Sequence, residues 1–314
     1  MPSRFRALLT GEATYLGSSQ DTPDNPLAKL ASAHAAIASV MRYDDALFDR
    51  APLLRVISRT GIGVDNIDIA AATRRGIAVC NTPDAPTIST VEHTVLLMLA
   101  ALRRLTSVRR HVMAGDTVNL FDRLSGLDAC GLTLGLVGLG RIGSGVARVA
   151  NVLGMEVQAY DPYLESARAE ERGVRAVDNL DELLGSSDVV SLHLPLSAAT
   201  QNFMNRERFE QLKPGAVFIN AARGGLVDEV ALLAALESGH VRAAGLDVTQ
   251  VEPPSPDHPL LNRDEVVLTP HIATATEQGR VRLWTAAITQ AVQVLKGERP
   301  LGLVNPEVWE RLRT

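Results

Sequence analysis

Between residues 133 and 270 short apolar runs alternate with amphipathic stretches. "TLGLVG" (133–138), "MEVQAYD" (155–161), "DVVSLHLP" (188–195), "AVFINAA" (216–222), "RAAGLDV" (242–248) and "EVVLTP" (265–270) have strand length. Near-continuous apolarity in such runs marks strands buried on both faces, as in a parallel sheet. The stretches between them carry apolar residues at helical spacing. "RIGSGVARVANVLG" (141–154) closes on Gly154 as a C-cap, and "NRERFEQL" is stopped by "KPG". Asp228 caps "EVALLAALES", which ends at Gly239. A helix is also expected at "NLDELLGS", with a polar helical stretch before it. The alternation predicts an α/β fold with helices on both faces of a parallel sheet.

The first ninety or so residues repeat the pattern more loosely. "RALLTG", "AAIASV", "LLRVIS" and "IAVCN" read as strands, and 11–26 reads as a loop with no helix. "STVEHTVLLMLAALRRL" (89–105) predicts a long, mostly buried helix joining a first domain to a second. From about residue 280 the chain is helical again, before "LGLVNPEVW".

Composition narrows the function classes. A length of 314 residues suggests two domains, and 46% hydrophobic residues allow a substantial core. A net charge of −5, with arginine pairs short and scattered, gives no basis for a nucleic-acid partner. Cys80 and Cys130 form no metal-ligand spacing and no disulfide framework, so no metal is expected. The apolar run at the start is too short for a signal peptide, and "TVLLMLAAL" is too short to span a bilayer. The reading is a soluble, cytoplasmic protein with no membrane partner.

"LVGLGRIG" holds Gly138, Gly140 and Gly143 between a strand and a helix, and Asp161 follows 21 residues after Gly140 at the end of the next strand. In that context the glycines predict a tight turn, a close approach of a pyrophosphate and close helix packing. The helix N-terminus offers unpaired amides to phosphate, and Asp161 would accept ribose hydroxyls. The cofactor expected is NAD, since a 2′-phosphate would meet the Asp161 charge. Arg223, Glu252 and His271 each follow a later strand, at the sheet edge where α/β folds bind ligands. A guanidinium can hold a carboxylate, an imidazole can exchange a proton, and a carboxylate can orient that imidazole. Reversible reduction of a 2-oxo acid needs these three groups. His193 is expected to line the adenine side of the cofactor cleft. His93, on the long helix, reads as packing between domains and as the first alternative proton carrier.

Taken together, "GIGVDNIDIAAATRRGIAVCNTP", "VGLGRIG", "YDPY", "LHLPL", "NAARGGLVDEVALLAAL", "GLDV…EPP", "LTPHIA" and "VNPEV" resemble the D-2-hydroxyacid dehydrogenase family over roughly residues 40–310. The resemblance implies two doubly wound parallel-sheet domains: a Rossmann NAD domain (97–282) inserted into a flavodoxin-like substrate domain (1–96 and 283–314). It implies a homodimer through the NAD domain and a catalytic triad of Arg223, Glu252 and His271. Arg141, Ile142, Leu194, Pro195, Thr200, Ala221, Ala222, Asp247 and Thr94 join the cofactor site, and Ile62 and Gly63 form a backbone cradle for the substrate carboxylate.

Within the family, "SRTGIGVDNID" and "SVMRY" are similar to segments of the phosphoglycerate dehydrogenases, in a short form without a regulatory domain. There Arg42 and Arg59 would approach a substrate phosphate, or one or both would pair with surface acids such as Asp44. The substrate implied is 3-phosphoglycerate, with glyoxylate or hydroxypyruvate as the alternative. Segment 113–128 departs from the family in lacking a tryptophan. The alternative from another class is an NAD(H)-sensing binding protein resembling the co-repressors related to this family.

Overall fold

The computed structural model describes residues 3–17, 28–39, 41–163 and 169–312. The chain divides into two compact units, Met1–Pro86 with Thr276–Thr314, and Thr87–Ala275.

In the first unit β1 (Ala35–Ala38), β2 (Val56–Arg59) and β3 (Ala78–Cys80) form a parallel sheet in that order. Alternation along the strands separates two faces. Ile57 and Val79 pack with Phe48, Ile67 and Ala71, beneath α1 (Asp45–Asp49) and α2 (Ile69–Arg74). Val56, Ala78 and Cys80 pack with Ala291 and Val294 of α10 (Glu277–Leu295). Each helix starts on a polar cap: Asp44 accepts the Leu47 amide, Asp68 that of Ala71, and Thr276 that of Gly279.

The strand expected at "RALLTG" does not form. Ser3–Leu9 is a 3-10 helix in which Phe5 alone is buried, stacked on Trp284 with ring centroids 6.0 Å apart. A buried strand would have to cover several apolar side chains, and Leu8 stays exposed. Residues 11–17 hold no helix or strand, as expected of that loop. The rest of the loop (18–26), Val40 at the end of the "AAIASV" strand, and residues 164–168 of the expected polar helical stretch lie outside the described residues.

The second unit opens with α3 (Thr87–Leu102), α4 (Leu105–Met113) and α5 (Leu120–Arg123). There follow β4 (Thr133–Val137), α6 (Arg141–Val152), β5 (Glu156–Tyr160), β6 (Arg175–Ala176), α7 (Leu180–Ser186), β7 (Val189–Leu192) and α8 (Arg206–Glu210). The unit ends with β8 (Ala216–Asn220), α9 (Glu229–Glu237), β9 (Val241–Leu246) and β10 (Val266–Leu268). Its described strands form one parallel sheet in the order β10-β9-β8-β7-β4-β5-β6. The chain therefore winds outward from β4 in one direction and then in the other, and the switch point lies between β4 and β7.

The long helix lies wholly in this unit. Leu97, Met98, Ala101 and Leu102 are buried with Val146, Ala147, Val217, Ile219 and Ala243. The division of the chain consequently falls before Thr87, and not inside the helix at 96/97. Likewise α10 packs through Ala291 and Val294 on the first unit's strands, and that unit resumes at Thr276 rather than at 283. Among the described residues no helix is long and apolar enough to cross a membrane.

Candidate active site

Because every strand of the second unit is parallel, the segments leaving β4, β5, β7, β8, β9 and β10 all emerge at one edge of the sheet. At the end of β4 Gly138 adopts φ +98°, a left-handed conformation, and its amide donates to the Tyr160 carbonyl at 2.9 Å. A side chain there would stand 2.8 Å from the His193 carbonyl oxygen, so β7's exit loop closes over this glycine. Gly140 caps α6 without a side chain, and the space its Cβ would occupy is open for 4 Å. Gly143 packs against Gly138 itself: a Cβ there would overlap the Gly138 carbonyl oxygen. The first turn of α6 thus rests directly on the loop, and its N-terminus begins at an open Gly140. This cradle fits a dinucleotide pyrophosphate. Arg141 and Ile142 belong to that first turn.

Asp161 follows β5. Its Oδ2 accepts the Leu139 amide at 2.9 Å and its Oδ1 the Tyr163 amide at 3.0 Å, which fixes a carboxylate beside the glycine loop. After β7, His193 Nε2 lies 3.0 Å from Ser191 Oγ, and burial pushes its imidazole down to about 4, so the ring is neutral at physiological pH. Leu194 and Pro195 continue this exit loop, and Thr200 closes it by donating to the Pro195 carbonyl at 2.7 Å.

After β8 come Ala221, Ala222 and Arg223. Asn220 ties this turn, accepting the Ala222 amide at 3.0 Å and donating to the Arg223 carbonyl at 2.8 Å. Arg223 Nη1 donates to the Ala222 carbonyl at 2.7 Å. Gly224 is small for a specific reason: any side chain would collide with the Thr249 carbonyl. The arginine loop and the loop leading to Glu252 therefore touch backbone to backbone.

Glu252 and His271 meet directly, with Oε2 and Nδ1 2.7 Å apart. An ionised carboxylate only accepts, so Nδ1 carries the proton and Nε2 is the ring atom left to exchange one. His271 sits at φ +53°, which costs a non-glycine residue about 1–2 kcal/mol. Its backbone is held there by Asp247, whose carbonyl accepts the His271 amide at 2.6 Å. The Asp247 carboxylate accepts the amides of Ile272 at 2.9 Å and Ala273 at 2.8 Å, and the Thr269 hydroxyl at 2.6 Å.

Two of the expected cofactor residues are buried. Asp247 is fully buried and satisfied by protein donors, which makes it a brace for the His271 loop. Thr94 is 1% exposed and donates to the Thr90 carbonyl within α3. Sequence reasoning missed Thr269 and expected His93 to pack between domains. That histidine is hydrogen-bonded inside the second unit, to Thr269, and its place on a largely apolar helix was the available signal.

In the first unit, the carbonyls of three consecutive residues point inward. Gly61 accepts the Thr82 amide at 3.0 Å, Ile62 accepts Asn81 Nδ2 at 2.8 Å, and Gly63 accepts Arg59 Nε at 3.0 Å. Among the described residues, no protein group accepts from the amides of Ile62 and Gly63. Arg42 is 84% exposed at its side chain and lies 3.6 Å from Asp44, a loose surface ion pair.

Comparison with known proteins places these features in context. Residues 95–273 match the family model described as "D-isomer specific 2-hydroxyacid dehydrogenase, NAD binding domain". D-3-phosphoglycerate dehydrogenase of Archaeoglobus fulgidus is 45% identical over 261 residues, 83% of this chain and 49% of that protein. Glyoxylate reductase of Korarchaeum cryptofilum is 40% identical over 267 residues, 84% of this chain and 80% of that protein. The crystal structure of a glyoxylate reductase from Paecilomyes thermophila superposes with a TM-score of 0.85 at 32% identity, covering 98% of this chain and 96% of that one. The chain spans about half the length of the phosphoglycerate dehydrogenases it matches.

Proposed function

The chain belongs to the D-isomer specific 2-hydroxyacid dehydrogenase family, and from that premise we propose that it interconverts a D-2-hydroxy acid and its 2-oxo acid with NAD, the pair being 3-phosphoglycerate and phosphohydroxypyruvate. The observation that carries this reading is the Glu252–His271 pair, 2.7 Å apart, at the sheet edge that also bears the dinucleotide loop. When bound, NADH supplies the hydride for the carbonyl carbon. Gly138, Gly140, Gly143 and the first amides of α6 receive the pyrophosphate, flanked by Arg141 and Ile142, and Asp161 receives the ribose hydroxyls. The exit-loop residues His193, Leu194, Pro195 and Thr200, with Ala221 and Ala222, line the rest of the cofactor's path.

His271 Nε2 gives its proton to the carbonyl oxygen during reduction and takes it back during oxidation. Glu252 holds the ring by Nδ1, and its negative charge stabilises the imidazolium that reduction requires. Arg223 holds the substrate carboxylate or polarises the carbonyl beside it. In the first unit the amides of Ile62 and Gly63 are suited to a carboxylate, which makes this the substrate-binding unit. Arg59 and Arg42 are assigned to the distal phosphate.

A second reading, glyoxylate or hydroxypyruvate reduction, is favoured by the glyoxylate reductase relative that matches over 80% of its own length. NADH oxidation with phosphohydroxypyruvate, hydroxypyruvate, glyoxylate and pyruvate separates the two. The highest kcat/KM is expected with phosphohydroxypyruvate, and Arg59→Ala should raise its KM at least tenfold more than that of glyoxylate. Preference for glyoxylate transfers the assignment to the second reading. Tight NADH binding without turnover of any oxo acid would leave a cofactor-sensing protein. Homodimerisation through the second unit is supported by apolar side chains exposed along α3 to α5, among them Ile88, Leu96, Met113 and Phe121. Sedimentation equilibrium tests it, and a monomer would refute it.

A further inference from the structure

We infer that His93, on α3, is a positioning residue that sets the proton-donating geometry of His271 through Thr269 and Asp247. The inference rests on the reading of His271 as the proton donor. His93 Nε2 lies 2.9 Å from Thr269 Oγ1 and 3.2 Å from Asp247 Oδ1, and its side chain is 12% exposed. The direction of each hydrogen bond follows from counting protons. Thr269 has a single hydroxyl hydrogen, and its 2.6 Å contact with Asp247 Oδ1 takes it. The Thr269 oxygen therefore accepts from His93. Asp247 as a carboxylate only accepts. His93 must then carry a proton on Nε2, shared between the hydroxyl and the carboxylate.

Asp247 is an ionised hub. Burial alone would push its carboxyl up, but the bonds from His93, Thr269 and the amides of Ile272 and Ala273 outweigh it and hold the group below its ordinary value. The described donors are thus two side chains and two consecutive amides, and those amides immediately follow His271. The Asp247 carbonyl accepts the amide of His271 itself. One residue consequently clamps three successive amides around a histidine at φ +53°, a conformation that persists only where its surroundings dictate it. Removing the His93 donor leaves a buried carboxylate short of a partner, so the carboxylate is drawn away from the clamp. The His271 ring then loses its alignment with Glu252.

The test compares His93→Leu, which removes the donor, with His93→Gln, whose amide nitrogen reaches the same position. Thr269→Val removes the bridging hydroxyl without touching α3. In His93→Leu and Thr269→Val, kcat for oxo-acid reduction should fall about 10- to 100-fold, with the Kd for NADH within about twofold of the parent. His93→Gln should recover to within about threefold of the parent. Hydrogen exchange at the Ile272 and Ala273 amides should quicken at least tenfold in the leucine variant and return toward parental rates in the glutamine variant. Parental kcat in both donor-removing variants would overturn the inference. So would equal losses in the leucine and glutamine variants, which indicate a packing role. A parent protein that reduces no 2-oxo acid defeats the functional reading instead, and the exchange rates then decide the clamp: unchanged protection in His93→Leu overturns it.

Discussion

Gly140 and Gly143 lie three residues apart in one loop, and the structure predicts that substituting each with alanine fails in a different way. At Gly143 an added Cβ would come closer than 3.0 Å to the Gly138 carbonyl oxygen, a backbone atom that cannot swing aside. The first turn of α6 has to retreat by roughly half an ångström or more, and overpacking of this kind costs about 1–3 kcal/mol. Thermal unfolding should fall by several degrees, at about 2–4 °C per kcal/mol for a unit of this size. The same retreat lengthens hydrogen bonds from the helix amides to the pyrophosphate. Losing one charge-assisted bond costs about 1.5–3 kcal/mol, so the Kd for NADH should rise about 10- to 150-fold. At Gly140 nothing lies within 4 Å of the added Cβ. Gly140→Ala should therefore unfold within about 4 °C of the parent, since alanine is a poorer N-cap than glycine by about 1 kcal/mol and meets no clash. It should still bind NADH at least tenfold more weakly, because the methyl occupies the pyrophosphate's approach. Differential scanning fluorimetry and NADH fluorescence titration give both quantities. Parental NADH affinity in either folded variant, or equal stability loss in both, would refute the assignment of the open space to the cofactor.

The Asp161 carboxylate should make NAD preferred over NADP by at least about tenfold in kcat/KM, roughly 1.4 kcal/mol, and Asp161→Ser should narrow that ratio; equal use of both cofactors by the parent would sink the assignment. Glu252→Gln keeps the contact with His271 but removes the charge 2.7 Å away, so less stabilisation of the imidazolium remains. The kcat for oxo-acid reduction should fall at least about tenfold with the Kd for NADH little changed, and a parental kcat in a folded, NADH-binding variant would break the pairing. Burial holds His193 near 4 against an ordinary 6.5, so the unfolded chain takes up a proton first as pH falls. Its contribution to stability is whole above about pH 6.5 and is lost progressively toward pH 4, to a total of up to about 3 kcal/mol. Urea midpoints should accordingly be flatter across that window in His193→Gln than in the parent, and identical pH dependence would refute the burial argument.

The sequence by itself determined six of the seven described strands of the second unit (all but the two-residue β6), their parallel arrangement, the glycine loop with Asp161, and the segments bearing Arg223, Glu252 and His271. Each of these is written locally. A strand buried on both faces must be apolar throughout, and a turn with a positive φ or a backbone overlap must be glycine. Only the tertiary structure decided the fate of "RALLTG", where a short apolar run packs through Phe5 on one aromatic partner, Trp284. Spacing could not show that Asp247 and Thr94 face inward, because a polar residue after a strand or within a helix reads alike whether water or protein satisfies it. Nor could it join His93 to Thr269, 176 residues apart in sequence. Hydrophobic periodicity records which face of an element is covered; which element covers it, and which distant hydrogen-bonding group arrives with it, is settled by how the chain winds and packs.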